Sequence, residues 1–180
     1  MKELSLNILD ISENSVKAGA SLVEILIKED ESTLLLNIRD DGCGMSEEVL
    51  KSVTNPFYTT RTTRNVGLGI PLLKLSAELT DGSFEITSKT GDNHGTCVKA
   101  VFNKNHIDFT PLGDTVSTIT TLIQGHPDTD FLFKHTKSEN EVSLDTRQMR
   151  EMLGEVPLNS YEVIKWVEEY LREQYSENFK

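Results

Sequence analysis

Asp10 and Asn14 stand four residues apart in a stretch with helical periodicity, so both side chains leave one face of one helix. An Asn amide oxygen there can supply one ligand to Mg²⁺, which keeps several waters and completes its shell with substrate phosphates. A carboxylate one turn earlier can orient or deprotonate an attacking water. Lys17, three residues after Asn14, can reach a phosphate. A second group, Asp40-Asp41-Gly42-Cys43-Gly44-Met45, closes an apolar run. A buried Asp40 carboxylate can accept a hydrogen bond from an exocyclic amine such as that of adenine. Gly42 and Gly44 let the backbone turn sharply and come close to a flat ring. Third, Gly67-Leu68-Gly69-Ile70 opens another helical stretch. Unpaired N–H groups at a helix start attract anions, and Arg61 and Arg64 just before it can carry phosphate contacts. Last, Gly95-Thr96 opens a strand, with a hydroxyl that can touch a phosphate.

Each of these has an ordinary reading when taken alone. Helix-surface polarity, a strand-ending Asp-Gly turn, a glycine before a helix and a Thr on a strand are all common. The third motif is not a Walker loop, since no Gly-Lys-Ser/Thr follows, and no strand leads into it as a Rossmann fingerprint requires. The order and spacing of the four carry the weight: 26 residues from Asn14 to Asp40, 27 more to Gly67 and 28 more to Gly95.

The elements that must position them follow from periodicity. Leu4, Ile8, Ile11 and Ser15 space a helix over 3–18, stopped near Gly19. Residues 22–28 and 33–39 read as strands of one antiparallel hairpin around an acidic turn. Ser46 caps a short helix over 47–53. Residues 54–66, rich in Thr, Asn and Arg, read as a mobile loop. A helix over 67–80 tolerates Pro71 in its first turn. Strands over 83–88 and 96–102 come next. Beyond a connector at 103–114 the pattern predicts a helix over 115–124, strands near 130–135 and 141–144, and helices over 146–153 and 159–175. The last places Val163, Trp166, Val167, Tyr170 and Leu171 on one face.

Composition narrows the class. Of 180 residues, 37% are apolar, enough for a core, and the net charge of -11 is spread over both halves. That excludes the concentrated cationic face which nucleic acid or an anionic membrane requires. No apolar run is long enough for a bilayer, and the first residues show no secretory signal. Two cysteines and four histidines make neither a disulfide framework nor a metal-ligand spacing. The expected place is the cytoplasm.

Taken together, the chain resembles the GHKL ATPases, which include histidine kinases, anti-sigma serine kinases, DNA gyrase B, MutL and the heat-shock chaperone ATPases. ENSVKAGA matches the N box, DDGCGM the first glycine box, NPFYTTR the lid and GLGI the second glycine box. The likeness covers about residues 3–103 and looks greatest to small stand-alone ATP-binding proteins of anaerobic bacteria, histidine-kinase-like or anti-sigma-like. It implies an α+β fold of the Bergerat type: a two-layer sandwich of a mixed, mostly antiparallel sheet with helices on one face. Residues 1–103 would form the ATP-binding domain and 104–180 a C-terminal α/β extension of unassigned role. The resemblance further implies Asn14 as Mg²⁺ ligand, Asp10 at the general-base position and Asp40 as the adenine-recognising carboxylate, with Gly42 and Gly44 in the adenine-side turn. Lys17, Arg61 and Arg64 would contact phosphates, and Gly67, Leu68 and Gly69 would cradle them, with Thr96 behind.

Two positions depart from the family pattern. Asp10 is one methylene shorter than the usual Glu, and Asn65 replaces a Gly. A rival pair, Glu3 with Asn7, has the right spacing but lacks the Lys-Ala-Gly-Ala context. Only 13 residues precede Asn14 and none is His, so autophosphorylation on a preceding His is not expected. The leading expectation is a Mg-ATP-binding kinase that transfers the γ-phosphate to a partner protein in trans. An ATPase switch driven by closure of the lid, and a nucleotide sensor without turnover, stand as alternatives. Self-association into a homodimer is left open.

Overall fold

Three hairpins supply the strands of the sheet. The computed structural model describes residues 3–54 and 68–179. The first hairpin joins β1 (Leu22–Glu29) to β2 (Thr33–Asp40). Its turn is built by Asp30, whose carboxylate accepts from the backbone N–H of Ser32 (2.8 Å) and Thr33 (2.7 Å) and from the Thr33 hydroxyl (2.6 Å). Short polar side chains that bond their own backbone favour such turns over continued strand. The second hairpin joins β3 (Ser83–Lys89) to β4 (Gly95–Asn103), and the third joins β5 (Asp130–Lys137) to β6 (Asn140–Asp145).

The sheet order is β3-β4-β2-β1-β5-β6. All pairs are antiparallel except β1 with β5, which run parallel from Leu22↔Asp130 to Glu29↔Lys137. Alternation along the strands leaves one face buried: Val23, Ile25 and Ile27; Leu34, Leu36 and Ile38; Val98, Ala100 and Phe102; Phe131 and Phe133. Directly paired residues such as Ile25↔Ile38 and Ile25↔Phe133 carry this face from strand to strand.

Four helices supply the apolar stripes of the second layer: α1 (Leu4–Lys17), α3 (Gly69–Glu78), α4 (Thr115–Gly125) and α6 (Tyr161–Asn178). Leu4, Ile8 and Ile11, Leu73 and Ala77, Ile119 and Ile123, and Val167 and Leu171 are buried in a core shared with the strands. Each large aliphatic side chain buried this way contributes roughly 1.5–3 kcal/mol. Two shorter helices complete the set, α2 (Glu47–Val53) and α5 (Thr146–Leu153). This is the expected α+β sandwich with a mixed, mostly antiparallel sheet.

Element ends match the sequence reading or differ from it by up to three residues. The helix expected over 67–80 is α3, and it stops near Gly82, where a Cβ would run into the Val101 carbonyl. Residues 104–180 contribute β5, β6 and three helices to the same sheet and the same core. The Trp166-bearing helix packs on α4 and on β6. Its Gln174 amide accepts from the Ser143 N–H (3.2 Å) and donates to the Ser143 carbonyl (3.1 Å), and Asn178 donates to the Glu141 carbonyl. The outer edge of β6 is thereby covered by side chains instead of another strand. No helix among the described residues is long and apolar enough to cross a membrane.

Candidate functional site

The last turns of α1, the end of β2, the first turn of α3 and the start of β4 meet at one end of the sheet. Asp40 is the last residue of β2, and it is about nine-tenths buried. Its Oδ1 accepts from the N–H of Gly42 (3.0 Å) and of Thr96 (3.1 Å), and its Oδ2 accepts from the Ser15 hydroxyl (2.6 Å). Three donors on a buried carboxylate compensate its loss of water and fix its rotamer.

The glycine turn is fixed from several sides. Gly44 has a φ of 70°, and a Cβ there would run into the Lys89 carbonyl. Gly95 has a φ of 134° and sits against the Asp40 carbonyl. Only glycine meets both demands. His94 Nδ1 lies 2.7 Å from the Gly42 carbonyl, and the Met45 N–H donates to the Ser88 hydroxyl (2.8 Å). Asp41 points the other way. Its carboxylate accepts from the N–H of Ser21 (2.8 Å) and Leu22 (2.9 Å) and from the Ser21 hydroxyl. Burial pushes the Asp41 carboxyl up, but those hydrogen bonds together outweigh it and hold the group below its ordinary range.

Asp10 is brought to the first turn of α3. A Cβ added to Gly69 would lie 2.9 Å from the Asp10 Cβ and 3.4 Å from its Oδ2. The start of α3 has no side-chain cap, and Pro71 in its first turn has no N–H to offer. The N–H groups of Gly69 and Ile70 therefore have no side-chain acceptor among the described residues, beside the α1 face that carries Asp10 and Asn14. Asn14 is partly exposed, one turn beyond Asp10. Lys17 is exposed, with a 4.0 Å approach to Glu13, which itself lies 2.7 Å from Nε2 of His126, the residue just after α4. Leu68, just ahead of α3, is exposed as well.

The structure thus gathers Asp10, Asn14, Asp40, Gly42, Gly44 and Gly69 around one end of the sheet. Arg61, Arg64 and Gly67, together with the lid motif and Asn65, lie outside the described residues. Thr96 is placed differently from the expectation that set it behind a phosphate cradle. It pairs directly with Asp40 across the ladder, donates its N–H to that carboxylate and keeps its hydroxyl 2.8 Å from Ser88. The rival register is removed by burial: Asn7 is 1% exposed within α1.

Ser15, Asp41, Ser88 and His94 were not assigned from the sequence. Ser15 had a visible signal, a hydroxyl on the apolar stripe of α1. The other three are recognisable only once the strands are paired.

The family model described as "Histidine kinase-, DNA gyrase B-, and HSP90-like ATPase" matches residues 2–106. Sporulation kinase C of Bacillus subtilis is 30% identical over 91 residues, which is 51% of this chain and 21% of that protein. A putative sensor protein of Shewanella frigidimarina is 27% identical over 103 residues, covering 57% of this chain and 15% of that one. The chain therefore spans about a fifth or less of these relatives' length. The Aquifex aeolicus MutL ATPase domain complexed with ADP superposes with a TM-score of 0.55 at 15% identity, over 85% of this chain and 69% of that one, which speaks to the fold alone. With the family model matching more than half of its length, the chain belongs to the histidine kinase-, gyrase B- and HSP90-like ATPases and carries their ATP-binding domain.

Proposed function

We propose that this chain binds Mg-ATP at the sheet end just described and passes the γ-phosphate to a partner protein in trans. One observation carries the reading: the helix start at Gly69, with no side-chain cap among the described residues, stands against Asp10, with Asn14 one turn further along the same helix. The residues fit the ligand. Uncapped N–H groups at the positive end of a helix suit phosphate oxygens. The bare Cα of Gly69 leaves room beside Asp10 that any side chain would fill.

In this reading Asp40, its rotamer locked by Ser15, Gly42 and Thr96, receives the adenine amine. Asn14 offers its amide oxygen to Mg²⁺, and Lys17, Arg61 and Arg64 contact phosphates. Bound Mg²⁺ supplies neutralisation of the phosphate charge, so that the chain's own task is positioning. Asp10 is placed to orient a water or an acceptor hydroxyl. Each of the four histidines is already engaged: His94 with Gly42, His106 beside Asp81 and Asp108, His126 with Glu13, and His135 with Glu29 and Tyr175. That engagement, with the likeness to sporulation kinases, favours an acceptor on another protein.

The test has two arms. Thermal unfolding with ATP–Mg²⁺ reads binding, since a ligand that prefers the folded state raises the midpoint. An unchanged midpoint overturns the nucleotide site. Loss of the Mg²⁺-dependent part in Asn14→Ala is expected. Labelled ATP with co-occurring proteins reads transfer, and phosphate release without any labelled protein would favour the ATPase switch instead.

A further inference from the structure

Away from the nucleotide end, α5 and the first half of α6 enclose an apolar groove of about 570 Å³. Met149, Met152, Leu153, Val156, Val163 and Trp166 line it. Met149 and Val163 form its buried floor, while Met152 is 75% exposed and Trp166 47% exposed. A large apolar side chain left in water forfeits its burial energy, and contiguous patches of this kind mark interaction sites. Methionine walls suit an occupant whose shape varies, because the thioether chain adapts its rotamers.

The charges around the groove identify the kind of occupant. On α6 the positions 162, 166, 169, 170 and 173 share one helix face. That face reads Glu162, Trp166, Glu169, Tyr170 and Glu173. Trp166 and Tyr170 are stacked, with ring centroids 4.9 Å apart and planes 11° apart. Two aromatic faces are thus framed by carboxylates, an arrangement that attracts cations through both ion pairing and the ring quadrupole. The nearby cations among the described residues are occupied: Lys165 lies 3.9 Å from Glu169, Lys134, which lines the adjoining hollow with Trp166 and Tyr170, lies 3.3 Å from Glu141, Arg147 pairs with Asp145 and Arg150 with Asp130. Glu162 and Glu173 have no ion-pair partner among the described residues.

We infer that this groove seats a basic amphipathic helix of a partner protein. Its apolar side chains fill the space over Met149 and Met152, and its Lys or Arg side chains lie over Trp166 and Tyr170 against Glu162 and Glu173. Helix-in-groove recognition uses apolar anchors of this kind, with flanking charge for orientation. A second copy of the chain is disfavoured, because a two-fold contact would set the same carboxylates against one another. An anionic lipid surface is repelled by them as well. The inference does not depend on the nucleotide reading.

Trp166 is the only tryptophan, so its emission reports on this groove alone. The probe is an 18-residue amphipathic helix of Leu and Lys, with a Leu and Glu version as control. The expected result is a blue shift of Trp166 emission with the Leu/Lys peptide and none with the Leu/Glu peptide. By calorimetry, Met152→Glu and the pair Glu162→Lys, Glu173→Lys should each weaken binding about tenfold or more, with Met152→Glu leaving the melting temperature unchanged and the pair lowering it only slightly through the first turn of α6. These positions are exposed, so the variants report on docking and not on folding. Equal binding by the wild type and both variants would overturn the inference. So would concentration-dependent self-association abolished by Met152→Glu, or a blue shift with zwitterionic vesicles but not with the peptide.

Discussion

The Ser15 hydroxyl donates to the Asp40 carboxylate across 2.6 Å, from the core-facing side of the last turn of α1 to the end of β2. Together with the Gly42 and Thr96 N–H groups it leaves Asp40 one fixed orientation. The carboxylate is thus set before any ligand arrives, and a preset acceptor loses less entropy on binding.

Ser15→Ala removes this donor and keeps the helix. ATP affinity should fall between about three- and tenfold, less than the roughly 1.5–3 kcal/mol worth of a hydrogen bond to a charged group, because Ser15 orients the acceptor without touching the ligand. Calorimetric titration of the two proteins checks it. Equal affinities would reduce Ser15 to a packing role.

Gly44→Ala should be far more damaging. The new Cβ meets the Lys89 backbone carbonyl, and φ is held at 70°, so neither partner can yield by a rotamer change. Strain at a left-handed position with a backbone clash costs on the order of 2–3 kcal/mol. Urea unfolding should show that loss, whereas Gly91→Ala, with nothing within 4 Å, should show only the smaller cost of its φ of 87°.

Acid stability should depend on Glu29. Lys104 Nζ lies 2.7 Å from its Oε2 and His135 Nε2 lies 2.9 Å from its Oε1. The hydrogen bond from His135 leads in lowering its carboxyl from 4.5 to about 2, with Lys104 adding to it against the effect of burial. The folded value is below the unfolded one, so the native state binds fewer protons. The stabilisation, of the order of 3 kcal/mol, is therefore present above pH 4.5 and is lost as pH falls toward 2. Melting curves of the wild type and Glu29→Gln should be far apart at neutral pH and converge on that acid limb. A constant gap across the range would remove Glu29 from the acid transition.

Cutting the chain after Asn103 should give an aggregating product. The cut removes β5 and uncovers the β1 edge, which carries Leu22 to Glu29 with unpaired backbone groups. It also strips α4 from α1, exposing the flank that now meets His126 and Thr118. Size-exclusion chromatography of the 1–103 fragment checks this, and a monodisperse folded monomer would contradict it.

The legible parts of the molecule were those with local signals. The Asp30 turn, the Ser46 cap and the apolar stripes of α1 and α6 all lie within a few residues of what they specify. The parallel pairing of β1 with β5 has no such signal, since no turn links the two strands. The same limit applied to the site. Asp10, Asn14 and Asp40 were readable as motif residues, but the contact between Asp10 and Gly69 arises only when α1 packs against α3. The neighbour of Thr96, the Asp40 carboxylate, is set by strand register and not by spacing along the chain.

That β1–β5 pairing also has a consequence for how the chain folds. The three hairpins close over short turns, whereas β1 must wait for a strand more than a hundred residues later. Loop-closure entropy makes such pairings late and slow. During synthesis the β1–β2 hairpin and α1 emerge bare, and after β4 has covered β2 the β1 edge and one flank of α1 stay so until residue 137 has left the ribosome. The interval before β5 docks is when the nascent chain is most exposed to mispairing.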